Sequence, residues 1–368
     1  MKKINLGILF GGRSTEHEVS LQSAKNVIDA LDKNKYDITL IGIDKSGRWY
    51  LNDSSQFLLN SSNPKLIALN KTNKNVALVL GTESEQLVCV SDIKLRENID
   101  VVFPILHGPY GEDGTVQGLL KLANLPFVGA GVLGSAIGMD KDVTKRLLRD
   151  EGVPIARFVV VHAWEREKFN FISTSRELGL PLFIKPANTG SSVGVSKVEN
   201  ETDFENALDK AFEFDNKVLI EEFIQGREIE CAVLGNEVPI ASGVGEVITQ
   251  RDFYSYEAKY IDENGALLEI PANIPVKIVE AIQEMATKTF KILCCEGMAR
   301  VDFFLTKGNK LIVNEVNTIP GFTNISMYPK LWEISGISYS QLIDRLIQLA
   351  LDRHARDKRL KTSFDELL

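Results

Sequence analysis

The chain has 368 residues, 44% of them hydrophobic and 25% charged, which is ordinary for a globular protein with a large core and room for two or three domains. A formal net charge of -8, with no basic run long enough to track phosphates, argues against a general nucleic-acid surface, and the short basic run 353–361 reads as a solvated tail. Cys89, Cys231, Cys294 and Cys295 follow neither disulfide nor zinc spacing, which predicts a reducing, cytoplasmic compartment; no apolar run reaches membrane-spanning length.

The opening MKKINLGILFGG places lysines before an apolar run, but the run is short and ends in Gly-Gly-Arg, so residues 4–10 predict a strand rather than a secretion signal. Residues 19–31 carry Ala24, Val27, Ile28 and Leu31 on one helical face, which completes a β-turn-α unit. Strands at 38–43 and 101–106 extend this to an open α/β sheet, with an irregular stretch at 52–75. No GxGxxG follows the first strand, which counts against a dinucleotide-binding oxidoreductase. Glu16 and Glu18 stand where a helix dipole favours carboxylates, and capping alone would explain them. His107-Gly-Pro-Tyr-Gly-Glu-Asp-Gly114 ends a strand and precedes a helix at 116–122, the position where open α/β sheets bind ligands; a structural histidine is the competing reading.

Strands at 158–161, 182–185 and 218–223 follow. Between the last two lies Lys185-Pro-Ala-Asn-Thr-Gly-Ser-Ser-Val-Gly-Val195, where small residues let backbone N–H groups approach phosphate oxygens and Lys185 offsets their charge. It lacks the Gly-Lys-Ser/Thr of a Walker A loop, and a plain glycine-serine turn is the alternative. A strand at 228–234 precedes residues 245–268, a polar stretch with Phe253, Tyr254, Tyr256 and Tyr260 whose length and aromatic content predict a lid. A core helix at 275–293 and a closing helix at 339–351 are read from their apolar faces.

The chemistry concentrates in Arg300-Val-Asp-Phe-Phe-Leu and Asn314-Glu-Val-Asn317, two halves of a hairpin whose loop is 306–309. If Leu305 faces Lys310, Arg300 falls opposite Glu315. A buried Arg-Asp pair would account for two of these groups, but leaves Glu315 and Asn317 uncompensated; magnesium on Asp302, Glu315 and Asn317 accounts for all of them.

RVDFFL followed by NEVNTIPGFT resembles the metal hairpin of the ATP-grasp carboxylate-amine ligases, and within them the D-alanine:D-alanine ligases over essentially the whole chain. The resemblance implies an α/β chain, α+β in its C-terminal half, with three domains: an N-terminal open α/β substrate domain (1–139), a central ATP-grasp domain (140–225) and a C-terminal one (226–368) carrying the hairpin and lid. It places Glu16 on the ammonium of the first D-alanine with His107 beside it. ATP would meet Lys141, Lys185, Ser191, Ser192, Lys259, Asn314 and Glu315, with adenine read along Glu221, Glu222 and Ile224 and the ribose held by Glu228. Glu222 departs from the lysine expected in many relatives. Tyr260 would bond toward Ser191 and Glu16 and favour an amine over D-lactate; a depsipeptide ligase is the near alternative. Arg300 and the Gly321 N–H would stabilise the oxyanion, while Ser326, with Met327 beside it, would hold the second D-alanine. Two magnesium or manganese ions, activation by potassium, a cytoplasmic homodimer and a product destined for peptidoglycan complete the expectation. A non-catalytic nucleotide-binding regulator would not need Glu16, Ser191, Tyr260, Arg300 and Ser326 together.

Overall fold

The computed structural model describes residues 2–61, 63, 66–249 and 266–361. Strand β1, Ile4–Gly11, is buried from Leu6 onward, as a central parallel strand should be. It pairs in parallel with β2, Tyr36–Ile43, and with the later β9, Val101–Ile105; β3, Trp49–Asn52, adds an antiparallel edge, giving the order β3-β2-β1-β9. Helix α1, His17–Ala30, buries Ala24, Val27 and Ile28, the predicted face. Among its described residues past Asn52, the stretch read as irregular holds just the two-residue strands β4, Leu58–Leu59, and β5, Ala68–Leu69. A small sheet of β6, Val76–Leu78, β7, Leu87–Cys89, and β8, Asp92–Glu97, follows where the sequence offers no clear alternation.

Helices α2, Thr115–Leu122, α3, Val132–Met139, and α4, Lys141–Asp150, lead to a second sheet. Its strands are β10, Phe158–His162, β11, Leu182–Pro186, β12, Ser196–Val198, and β13, Lys217–Glu222, in the antiparallel order β10-β13-β11-β12. Helices α5, Phe171–Leu178, and α6, Glu201–Phe212, cover it. Asn170 and Asn200 cap these helices, each side chain accepting a backbone N–H at 2.9 Å.

A third, antiparallel sheet runs β16-β15-β14-β17-β18. Its strands are β14, Gly226–Gly235, β15, Ile240–Thr249, β16, Ala266–Glu269, β17, Gly297–Thr306, and β18, Leu311–Asn317. Alternation on β14 decides what packs where. Ile229, Cys231 and Val233 face helix α7, Val276–Ile292, through Ile282, Ala286 and Phe290. Ala232 and Leu234 face α8, Met327–Ile334, and α9, Tyr339–Asp357, in a core that also contains Leu6, Ile8 and Phe103 of the first sheet. The first and third sheets are therefore joined through one apolar core.

Three expectations are corrected. In the hairpin, Thr306 N–H bonds Lys310 O at 3.0 Å and Asn309 takes a φ of 57°, so Leu305 pairs with Leu311 rather than Lys310. A bulge then puts Asp302 opposite Glu315 and Arg300 opposite Asn317. Both ends of the stretch read as lid, in β15 and β16, are paired sheet. Helix α9 also runs past residue 351 to Asp357, because Arg353 is buried rather than solvated.

Arg353 donates to Gly129 O at 2.5 Å and Phe127 O at 2.7 Å, with its guanidinium 4.4 Å from the Phe127 ring centroid. Arg353→Ala should leave both carbonyls without this donor and lower stability by about 3 kcal/mol, read from urea unfolding. A change below about 0.5 kcal/mol would contradict this role.

Candidate active site

The bulge in the hairpin has a chemical consequence. An extra residue at position 314 turns two consecutive side chains, Asn314 and Glu315, toward the same cleft, where a regular strand would send them to opposite faces. Asp302 stands across from Glu315, held by Arg300 through two bonds of 2.7 Å and by the Asn317 amide at 3.0 Å. Arg300 also meets Glu230 at 2.9 Å. Burial disfavours the guanidinium charge, but Asp302, Glu230 and Glu315 overcome that and raise its pKa well above the usual range. Among the described residues, no group of three or more His, Cys, Asp or Glu side chains forms a ready metal cage. The donors that are present, two carboxylates and an amide beside a cleft, suit a magnesium ion completed by substrate phosphates. Asp302 would have to exchange its Arg300 and Asn317 bonds to take part.

A cavity of about 390 Å³ extends from these residues. It is lined by Lys141, Lys185, Ser192, Glu221, Glu222, Ile224 and Glu228 together with Asp302, Asn314 and Glu315. Lys185, the penultimate residue of β11, bonds Glu221 on the neighbouring strand at 2.7 Å. Lys141, at the start of α4, donates to Thr189 O at 2.6 Å and so ties that helix to the glycine-serine loop. Ser191 and Ser192 adopt φ of 52° and 59°, left-handed values uncommon for serine, which turn the loop sharply. Glu222 pairs with Arg157 at 2.7 Å.

The other half of the site comes from the first sheet. Glu16, only 6% exposed at the start of α1, accepts a short hydrogen bond from Ser191 Oγ. Two glycines make this approach possible: a Cβ at Gly108 or at Gly190 would stand 2.7 or 2.8 Å from Glu16 Oε2. His107 contacts Ser23 Oγ through Nε2 and Ile319 O through Nδ1, both at 3.1 Å. The carbonyl requires Nδ1 to carry the proton, so Ser23 donates to Nε2. Burial lowers the His107 pKa, which keeps the ring neutral. Beyond the hairpin, a Cβ on Gly321 would lie 3.0 Å from Ser326 Oγ, and Ser326 Oγ accepts from Thr323 N–H at 3.1 Å. The Met327 side chain is buried against β15. Lys259 and Tyr260 lie outside the described residues.

Three participants escaped the sequence reading. Glu112 accepts from Gly108 N–H at 2.7 Å and Ile319 N–H at 3.2 Å, clamping the first-sheet turn to the segment after β18. It lies inside the His107–Gly114 motif, where its individual role could have been asked. Glu230 is one strand period from Glu228, and Lys145 one helical turn from Lys141; both spacings were visible.

Two family models match the chain, "D-ala D-ala ligase N-terminus" over residues 5–130 and "D-ala D-ala ligase C-terminus" over 147–348. A D-alanine--D-alanine ligase of Oceanobacillus iheyensis is 58% identical over 99% of both chains, and D-alanine--D-alanine ligase A of Escherichia coli K12 is 55% identical over 99% of this chain and 100% of its own. The solved D-alanine-D-alanine ligase of Coxiella burnetii superposes with a TM-score of 0.83 at 40% identity, covering 98% of this chain and 97% of that one. The VanG D-Ala:D-Ser ligase of Enterococcus faecalis gives 0.82 at 38%, covering 95% and 100%. The three larger sheets and the cleft beside them are those of the ATP-grasp ligases. Within that class, the chain belongs to the D-alanine--D-alanine ligase family.

Glu112 gives this site a pH signature. Burial first, and then the nearby Glu16 carboxylate, raise its pKa to about 8, although the side chain keeps some opening to the cleft. From its ordinary value of 4.5 up to about 8, the folded chain retains a proton that the unfolded chain has released, so this group removes stability as pH rises through that window. Glu112→Gln should therefore gain in urea midpoint relative to the parent between about pH 5 and pH 8. Parallel pH profiles for the two proteins would refute the assignment.

Proposed function

We propose that this protein joins two D-alanines into D-alanyl-D-alanine with ATP, releasing ADP and phosphate. The observation that carries the reading is the contact of Glu16 with Ser191, which puts an anionic seat for an ammonium group against the loop that would cover the ATP phosphates. Residues 1–139 would supply that seat, 140–225 most of the nucleotide cradle, and 226–368 the hairpin and acceptor site.

ATP would lie in the cavity with its phosphates on Lys141, Lys185, Lys259 and the backbone around Ser191 and Ser192. Its adenine would run along Glu221, Glu222 and Ile224, and its ribose would meet Glu228. Asp302, Glu315 and Asn317, with Asn314 beside them, would hold two magnesium or manganese ions, whose contribution is to neutralise phosphate charge during transfer. Glu16 would bind the ammonium of the first D-alanine, with neutral His107 and Tyr260 closing around it.

A carboxylate is too poor an electrophile for an amine. Held in line with the γ-phosphoryl group, the first D-alanine carboxylate would accept it and become an acyl phosphate. Ser326, with Met327 beside it, would orient the second D-alanine by its carboxylate so that its amine attacks the acyl carbon. Arg300 and the Gly321 N–H would stabilise the tetrahedral oxyanion, each such donor contributing about 3 to 4 kcal/mol in other enzymes. Of the two protons the attacking nitrogen must shed, one passes to solvent and one to the departing phosphate, and collapse leaves the dipeptide. Exclusion of water by a closed lid would protect the acyl phosphate. A cytoplasmic homodimer activated by potassium, supplying peptidoglycan precursor, belongs to the same reading.

The test supplies ATP and magnesium with D-alanine alone or with D-serine or D-lactate, measures ADP, and resolves the products by mass. D-alanine-dependent ADP release with the dipeptide as main product is expected, falling at least about a hundredfold in Glu315→Ala. A main product containing D-serine or D-lactate would overturn the acceptor assignment, and turnover indifferent to D-alanine would overturn the ligase.

A further inference from the structure

Lys145 is 1% exposed, and its Nζ stands 3.2 Å from Glu221 Oε1. Lys185 meets the other oxygen of the same carboxylate at 2.7 Å, and Glu221 itself is 3% exposed. One buried ammonium, that of Lys145, and one partly exposed, that of Lys185, thus face one buried carboxylate. Lys185 and Glu221 line the nucleotide cavity, whereas Lys145 lies behind them, 5.5 Å from the Phe158 ring centroid.

Beyond this contact with Glu221, the Lys145 ammonium has no hydrogen-bond partner among the described residues. A buried cation so loosely satisfied is a weak contributor to stability, and an apolar side chain of similar volume would often serve the core as well. Its effect is electrostatic. Burial opposes the charge on Glu221, and the Lys145 and Lys185 ammonium groups overcome it and hold the carboxylate below its ordinary range. With Glu221 already compensated from behind, the triad carries a surplus positive charge, and the group that can present it to the cavity is Lys185.

We infer that Lys145 is a positioning residue of the nucleotide site: its buried ammonium neutralises Glu221 from behind, so that Lys185 can leave that carboxylate for the nucleotide phosphates. Without Lys145, Glu221 would claim Lys185 as its main counter-ion, and phosphate binding would compete with an intact buried pair. The inference rests on the proposed phosphate role of Lys185.

The readout is the ratio of adenosine to ADP dissociation constants, measured by calorimetry on the full chain with magnesium. This ratio isolates the phosphate contribution from damage to the adenine pocket. Lys185→Met should lower the ratio if the phosphate role holds, and an unchanged ratio there would remove both that role and the inference. Given that drop, Lys145→Met should lower the ratio about tenfold, with adenosine affinity and thermal midpoint largely kept. The double variant Lys145→Met, Glu221→Gln should restore it, because a neutral amide no longer captures Lys185. A ratio unchanged in Lys145→Met, or equal weakening of both ligands, would overturn the inference while leaving the Lys185 assignment standing. Failure of the double variant to restore the ratio would overturn it as well.

Discussion

The constraint on which this structure depends is that charges around its cleft are partnered across segments distant in sequence. Glu16, on the first sheet's helix, is met by Ser191 from the loop after β11. Glu221 is bracketed by Lys145 and Lys185 from two different elements, and Arg300 is shared between Asp302 on its own strand and Glu230 on the neighbouring one. Asp140, at the head of α4, pairs with Lys217 at 2.5 Å. A buried charge left without its partner is costly, so these contacts help fix the relative placement of the sheets as well as the electrostatics of the site. The apolar core through α8 and α9 makes the first and third sheets one body, and Glu112 and His107 repeat that connection in polar form at Ile319.

Much of this arrangement was legible in the sequence because its periodicities are simple. The β1-α1 unit shows a short continuous apolar run giving way to a helical face, and α7 displays its buried stripe through Ile282, Ala286 and Phe290. The hairpin was legible in composition but not in register. Sequence cannot easily show that Asn309 takes a left-handed turn or that a bulge falls at Asn314, and each displaces the pairing by one residue. Strands β6 to β8 are short, with β8 largely exposed, so no apolar pattern announces them. The segment 353–361 reads as polar because the role of Arg353 depends on carbonyls more than two hundred residues away.

The functional residues divide in the same way. Groups that would touch ligand, such as Glu16, Lys185 and Glu315, stand in dense motifs where small residues let backbones approach. Groups that hold them, such as Glu112, Lys145 and Glu230, look like ordinary charged residues until their partners are known. Family likeness leads quickly to the first set. The second needs the three-dimensional account, because its members are recognised by burial and by which opposite charge they face.

The central claim is that the ammonium seat and the phosphate loop act as one unit through Glu16 and Ser191. A double-mutant cycle of Glu16→Gln and Ser191→Ala, read as D-alanine-dependent ADP release at subsaturating D-alanine, tests it most directly. Residues acting as a unit should give a double variant about as impaired as the worse single one, a coupling of about 1 to 2 kcal/mol. Losses that simply multiply would mean that the two groups contribute independently, and the account of a site assembled across these two loops would be wrong.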